Sequence, residues 1–143
     1  MKRKQFIKTC GWAIAALPFA TTLLQSCQSI YYASFRQQEN KLIIPISEFR
    51  VEKTHKFRDF VLVQSPYGFP ICIYKISDNQ FAAALLKCTH RGCELNVGGG
   101  IYSCPCHGSE FDIHGKVLEG PADQDLQLFK TTIENENIYI YLS

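Results

Sequence analysis

The sequence is poor in the features that mark several protein classes. Charge of neither sign dominates, since the formal net charge is +2 and charged residues make up 20% of the chain. No apolar run reaches the roughly 20 residues that cross a bilayer comfortably. No amphipathic helical period appears beyond residue 40, and no internal repeat or low-complexity tract appears anywhere. A helical bundle and a disordered chain are thereby excluded, the second also by an apolar content of 46%. The basic excess is local: Lys2, Arg3, Lys4 and Lys8 stand in the first 26 residues without an acid. The rest has eleven basic residues against thirteen acidic ones, with no basic patch interleaved with aromatics, so nucleic acid is not an expected partner. The 143 residues suffice for one domain and are too few for two ordinary ones.

The N-terminus reads as an address. After the basic residues, Cys10 to Leu24 is a mostly apolar stretch carrying Pro18, and it fits the apolar core of an export signal. Arg3-Lys4-Gln5-Phe6-Ile7-Lys8 resembles a twin-arginine export signal, with Lys4 at the second arginine position. Leu24-Gln25-Ser26-Cys27 resembles a bacterial lipobox, which makes Cys27 the expected lipidated residue; the alternative is an uncleaved anchor helix. Either reading places the protein outside the cytoplasm and next to a membrane. We therefore divide the chain into an export signal at 1–26, a tether at 27–40 and a folded domain at 41–143. The expected location is the periplasmic side of a bacterial membrane, through a lipid anchor.

The domain reads as short strands with turn chemistry between them. Leu42 to Ile46, broken by Pro45, suits an edge strand. Phe60 to Val63, Ile71 to Ile76 and Phe81 to Leu86 follow, separated by Ser65-Pro66-Tyr67-Gly68 and Ser77-Asp78-Asn79. Phe111 to Ile113 and Val117-Leu118 flank His114-Gly115, and Leu126 to Ile133 and Ile138 to Leu142 flank Glu134 to Asn137. This pattern predicts an all-β antiparallel sandwich or barrel. Cys72, in mid-strand, is expected to pack as a free buried thiol. His55 and His114 are expected at the surface and in a turn.

Four of the seven cysteines and two of the four histidines fall between Cys88 and Phe111. They form two boxes, Cys88-Thr89-His90-Arg91-Gly92-Cys93 and Cys104-Pro105-Cys106-His107-Gly108-Ser109. A Cys/Cys/His/His set first brings zinc to mind, since structural zinc takes tetrahedral N and S ligands. Zinc sites of this composition usually pair like with like, whereas here each arm mixes one Cys with one His. That mixture suits a site with two chemically different metals.

The two boxes resemble those of the Rieske iron–sulfur proteins, over roughly Leu42 to Leu142, with Gly92, Pro105, Gly108 and Ser109 agreeing as well. The resemblance implies a β-sandwich or barrel whose cluster-binding subdomain consists of two loops. It implies one 2Fe–2S cluster, with Cys88 and Cys104 on one iron and His90 and His107 on the other. It pairs Cys93 with Cys106 as a disulfide of the cytochrome bc or arsenite-oxidase small-subunit type, which agrees with an exported location. It gives Ser109 a hydrogen bond to a bridging sulfide, makes Gly120-Pro121-Ala122 a covering loop, and puts Phe111 where high-potential members carry tyrosine. With two thiolates and two neutral imidazoles the oxidised site is neutral, so its potential lies within about −150 to +300 mV. Phe111 lowers it relative to a tyrosine-bearing relative.

The function expected from this resemblance is that of a membrane-tethered electron carrier, the iron–sulfur component of a quinol-oxidising respiratory complex or a relative. Its partners would be cytochrome b- or c-type proteins and quinol. The alternatives are a subunit of another oxidoreductase, with a molybdoenzyme or an oxygenase as partner, and a structural zinc module. The resemblance implies an electron-transfer component of an oxidoreductase rather than a catalyst on its own, and no catalytic acid, base or nucleophile is assigned.

Overall fold

A computed structural model describes residues 30–143, so the residues read as an export signal, and Cys27, lie outside the described residues. Eleven strands form two antiparallel sheets. β1 is Arg36–Gln38, β2 Lys41–Pro45, β3 Phe60–Val63, β4 Ile71–Ser77 and β5 Gln80–Leu85. β6 is Asn96–Gly98, β7 Ile101–Ser103, β8 Glu110–Asp112, β9 Val117–Glu119, β10 Leu128–Glu134 and β11 Asn137–Tyr141. The larger sheet has the order β1-β2-β11-β10-β5-β4-β3, and the smaller one β6-β7-β8-β9. The expected all-β architecture is the one observed.

The alternation of side chains along a strand explains how one sheet serves two cores. Val61 and Val63 of β3, Ile71 and Ile73 of β4, and Phe81, Ala83 and Leu85 of β5 point to one face. There they pack with Leu42, Ile44, Ile138 and Ile140 of β2 and β11. The intervening residues Phe60, Leu62, Cys72, Tyr74 and Ala84 point to the opposite face. They pack there with Leu95, Tyr102, Phe111 and Leu126, which belong to the smaller sheet and its loops. The apolar run Phe60 to Val63 is buried throughout because both of its faces are covered. The second core is the platform on which the two Cys/His boxes stand, and it includes Cys88 and Cys104.

One feature differs from the expectations. β2 is not an edge strand, because β11 flanks it on one side and β1 on the other. β1 pairs only with Lys41 to Ile43, however, so Pro45 lies beyond the outer pairing. A proline at the end of a strand costs the ladder little there. Residues 31–38 lie within the segment read as a tether. They run along the domain: Leu62 N–H donates to Tyr31 O at 2.9 Å, and Ala33 N–H donates to Leu62 O at 2.8 Å. The Tyr31 hydroxyl donates to Glu48 Oε2 at 2.8 Å, and the Arg58 guanidinium stacks 3.8 Å from the Tyr31 ring centroid.

Candidate metal centre

Each box is a closed loop with the same backbone pattern. In the first, Cys88 N–H donates to Cys93 O and Gly92 N–H donates to Cys88 O, both at 2.8 Å. In the second, Cys104 N–H donates to Ser109 O at 2.8 Å and Gly108 N–H donates to Cys104 O at 3.0 Å. In both, the fifth position is a glycine with positive φ, +75° at Gly92 and +81° at Gly108. A side chain would strain that turn, so the glycines are set by the loop geometry. The first loop follows β5 and the second joins β7 to β8, so rigid strands present both.

The loops bring the candidate ligands together in two pairs. The Cys88 and Cys104 thiols are buried and free, and they lie close enough to shift one another's protonation. Burial pushes the Cys88 thiol up, and its thiol neighbour Cys104 adds to that rise. At Cys104 burial acts the same way, but hydrogen bonds from the Cys106 amide, the Cys88 thiol and the His107 amide outweigh it and lower the pKa. The His90 and His107 rings stand edge to face, with centroids 4.9 Å apart. His107 is exposed and His90 half-buried. His90 Nδ1 is buried without a hydrogen-bond partner, an unusual state for a ring nitrogen unless a metal takes the lone pair.

The donor arrangement bears on the choice of metal. A tetrahedral zinc ion holds all its ligand atoms within about 4 Å of one another. Among the described residues, the only donor trio gathered within 4.8 Å is Cys93, Cys104 and Cys106. Cys93 and Cys106 form a disulfide, with S–S 2.04 Å and Cα–Cα 6.6 Å, so their sulfurs are not thiolate donors. The four candidate ligands therefore converge as a sulfur pair and an imidazole pair, not at one point. This division fits a two-iron cluster, with thiolates on one metal and imidazoles on the other.

The surroundings are tied to both boxes by one loop. Ala122 N–H donates to Ser109 Oγ at 3.0 Å, and Thr89 Oγ1 donates to Gln124 O at 2.6 Å. Ser109 is fully buried, and its hydroxyl proton remains available to a further acceptor. Pro121, in the same covering loop, is exposed. Phe111 on β8 is fully buried and faces Tyr102 across the ladder. Tyr102 was not singled out in the sequence. It is fully buried beside Cys72, and its hydroxyl has no hydrogen-bond partner within ordinary geometry. Burial pushes Cys72 up to about 12, and burial together with the Cys72 thiol raises Tyr102 as well. A cavity of about 830 Å³ lies away from the boxes, on the segment 47–58 with Tyr31.

The Rieske [2Fe-2S] domain model matches residues 45–130, which contain both boxes and the covering loop. The chain belongs to the Rieske [2Fe-2S] domain family. It is an iron–sulfur electron-transfer protein, and a 2Fe–2S cluster is its cofactor. It is 39% identical over 99 residues to the cytochrome b6-f complex iron-sulfur subunit of Synechococcus sp. (strain JA-2-3B'a(2-13)), covering 66% of this chain and 56% of that protein. It is 36% identical over 102 residues to the corresponding subunit of Thermosynechococcus vestitus, covering 68% and 56%. The chain thus spans about half the length of the curated relatives it matches. Among solved structures it resembles the cyanobacterial plasma membrane Rieske protein from Synechocystis PCC 6803, with 35% identity, a TM-score of 0.52, and coverage of 58% of this chain and 86% of that one. A quaternary ammonium Rieske monooxygenase shares the fold at 17% identity, with a TM-score of 0.54 and coverage of 80% and 34%.

Proposed function

We propose that the chain is a membrane-tethered Rieske electron carrier of the quinol-oxidising type, with Cys88, His90, Cys104 and His107 as the cluster ligands. The observation that carries the ligand assignment is the buried, partnerless His90 Nδ1 beside the His107 ring, with the free, buried Cys88 and Cys104 thiols in the same two boxes. When bound, the cluster supplies a one-electron redox couple. The protein's own residues do the rest. Cys88 and Cys104 exclude water from the sulfur side through their burial. His107 and the half-buried His90 present imidazole edges outward, where a second ring nitrogen can carry a proton when its donor or acceptor docks. Electron and proton can thereby leave a quinol at one place.

The Cys93–Cys106 disulfide supports the placement outside the cytoplasm, because such bonds persist in oxidising compartments. The similarity to cytochrome b6-f iron-sulfur subunits supports a cytochrome-linked role. The proposed anchor is a lipid on Cys27, reached by export of the folded, cluster-loaded protein. Two measurements test the proposal. Full-length protein expressed in a bacterial host is fractionated and fed labelled palmitate; label in the membrane fraction that disappears in Cys27→Ala is expected, and label-free soluble protein contradicts the anchor. Purified protein is then mixed with duroquinol. Bleaching of the visible bands within milliseconds to seconds is expected, and reduction by dithionite but not by quinol contradicts the quinol reading.

A further inference from the structure

A cavity of about 450 Å³ opens directly beside His90. Two of its walls are cations, Lys87 and Arg91, and two are amides, Gln124 and Gln127; no acidic residue lines it. Both cations are exposed, and among the described residues neither forms an ion pair. The two acids nearest in sequence to Gln124 do not offset them from within the cavity. Asp125 is turned away to accept the Val117 amide at 3.0 Å, and Asp123 is not part of the lining. Lys87 is also held in place. A Cβ on Gly92 would meet its Cε at 3.3 Å, and its ammonium sits 5.5 Å from the Phe69 ring centroid. Thr89, which also lines the cavity, is pinned to the Gln124 carbonyl.

Resting on the reading of His90 and His107 as the exposed edge of the redox centre, we propose that this cavity is the docking point of an acidic redox protein. A partner carboxylate seats between Lys87 and Arg91, and Gln124 and Gln127 supply further hydrogen bonds. Seated there, the partner lies against the His90 ring, so docking and electron transfer share one spot. Glu94 bridges Lys87 through the backbone but does not line the cavity and forms no ion pair with it, so the two cations face the opening unpaired. Such charge beside the exit point raises the encounter rate with an oppositely charged surface and rejects a like-charged one. The step itself moves one electron from the reduced protein to the partner metal, for instance reducing Cu(II) to Cu(I), with no bond made or broken.

The test uses the cluster-loaded protein, reduced, and two oxidants of opposite surface charge: an acidic blue copper protein and a basic mitochondrial cytochrome c. Stopped-flow rates are measured against ionic strength for wild type and for the Lys87→Gln/Arg91→Gln double variant, whose visible spectrum should match wild type. The wild-type rate with the acidic protein should fall as salt rises. The variant should lose about tenfold at low salt and converge with wild type at high salt. Its rate with cytochrome c should be unchanged or faster. Independently, carbodiimide coupling to the acidic protein should cross-link Lys87 in preference to Lys116 or Lys130. Variant rates within twofold of wild type at low salt, or cross-links concentrated on Lys116 or Lys130, overturn the proposal while the redox centre stands. Absence of the Rieske absorption bands in wild-type protein overturns the underlying reading of the site, and the proposal with it.

Discussion

Removing the staple between the two boxes should cost stability in a calculable amount. Cys93 and Cys106 are 13 residues apart, and the chain between them contains Gly98-Gly99-Gly100, which is flexible when unfolded. Closing a loop of that size removes enough entropy from the unfolded chain to stabilise the fold by about 3 kcal/mol. For a domain of this length, each kcal/mol moves the melting midpoint by about 4 °C, so the shift is on the order of 10 °C. The figure is an upper bound, because backbone hydrogen bonds already close each box and would keep some order in the open form. The assay is thermal unfolding of cluster-loaded Cys93→Ser/Cys106→Ser beside wild type. It is followed by far-ultraviolet circular dichroism and by visible absorbance at one fixed scan rate, since cluster loss makes unfolding irreversible. Both signals should fall early in the variant, with the visible one falling first because the boxes part before the sheet melts. A midpoint within about 3 °C of wild type in both signals would refute the loop-closure argument.

Two further outcomes follow from buried residues. Phe111→Tyr places a hydroxyl in a fully buried position next to the boxes; a hydrogen bond that strengthens when the site gains negative charge should raise the midpoint potential by roughly 50 mV, or about 1 kcal/mol for one electron. Protein-film voltammetry checks this, and an unchanged or lowered midpoint argues against it. Burial pushes the Cys72 thiol up to about 12, so the folded state holds its proton where the unfolded chain releases it. Stability from this group is complete below the ordinary thiol value and falls above about pH 9, by about 1.4 kcal/mol per pH unit. Urea unfolding at pH 8 to 10 should show that slope in wild type and a flatter one in Cys72→Ala; equal slopes would remove Cys72 as the cause.

What the sequence made legible has a physical pattern. β3, β4, β5, β10 and β11 were readable because their side chains alternate between faces or are buried on both, and because turn residues such as Ser77-Asp78-Asn79 bound them. The pairing of Cys93 with Cys106 came only through the likeness to a family, since six cysteine and histidine positions agreed at once. β1, β6 and β7 were not readable. Each is three residues long, and Arg36–Gln38 is wholly exposed, so no hydrophobic period marks it. Its strand character comes from pairing with β2. Pro45 misled for a related reason: proline argues for an edge, yet the outer neighbour stops at the Ile43 pairing and leaves room for it. Tyr102 drew no attention in the sequence, and only packing revealed its hydroxyl sealed beside Cys72. Lys87 and Arg91 are unremarkable letters in a chain of near-neutral charge. Their meaning lies in the cavity they share, which brings Gln124 and Gln127 to His90 from more than thirty positions away.

The central claim is that two thiolates, Cys88 and Cys104, hold one iron and two imidazoles, His90 and His107, hold the other. Mössbauer spectroscopy of protein grown on iron-57 tests it most directly, because the nucleus reports the donor set of each iron separately. Oxidised wild-type protein should give two quadrupole doublets of equal area with distinct isomer shifts, one from an all-sulfur site and one from a site with nitrogen ligands. A single doublet, or purified protein that carries zinc and no iron, would contradict the account.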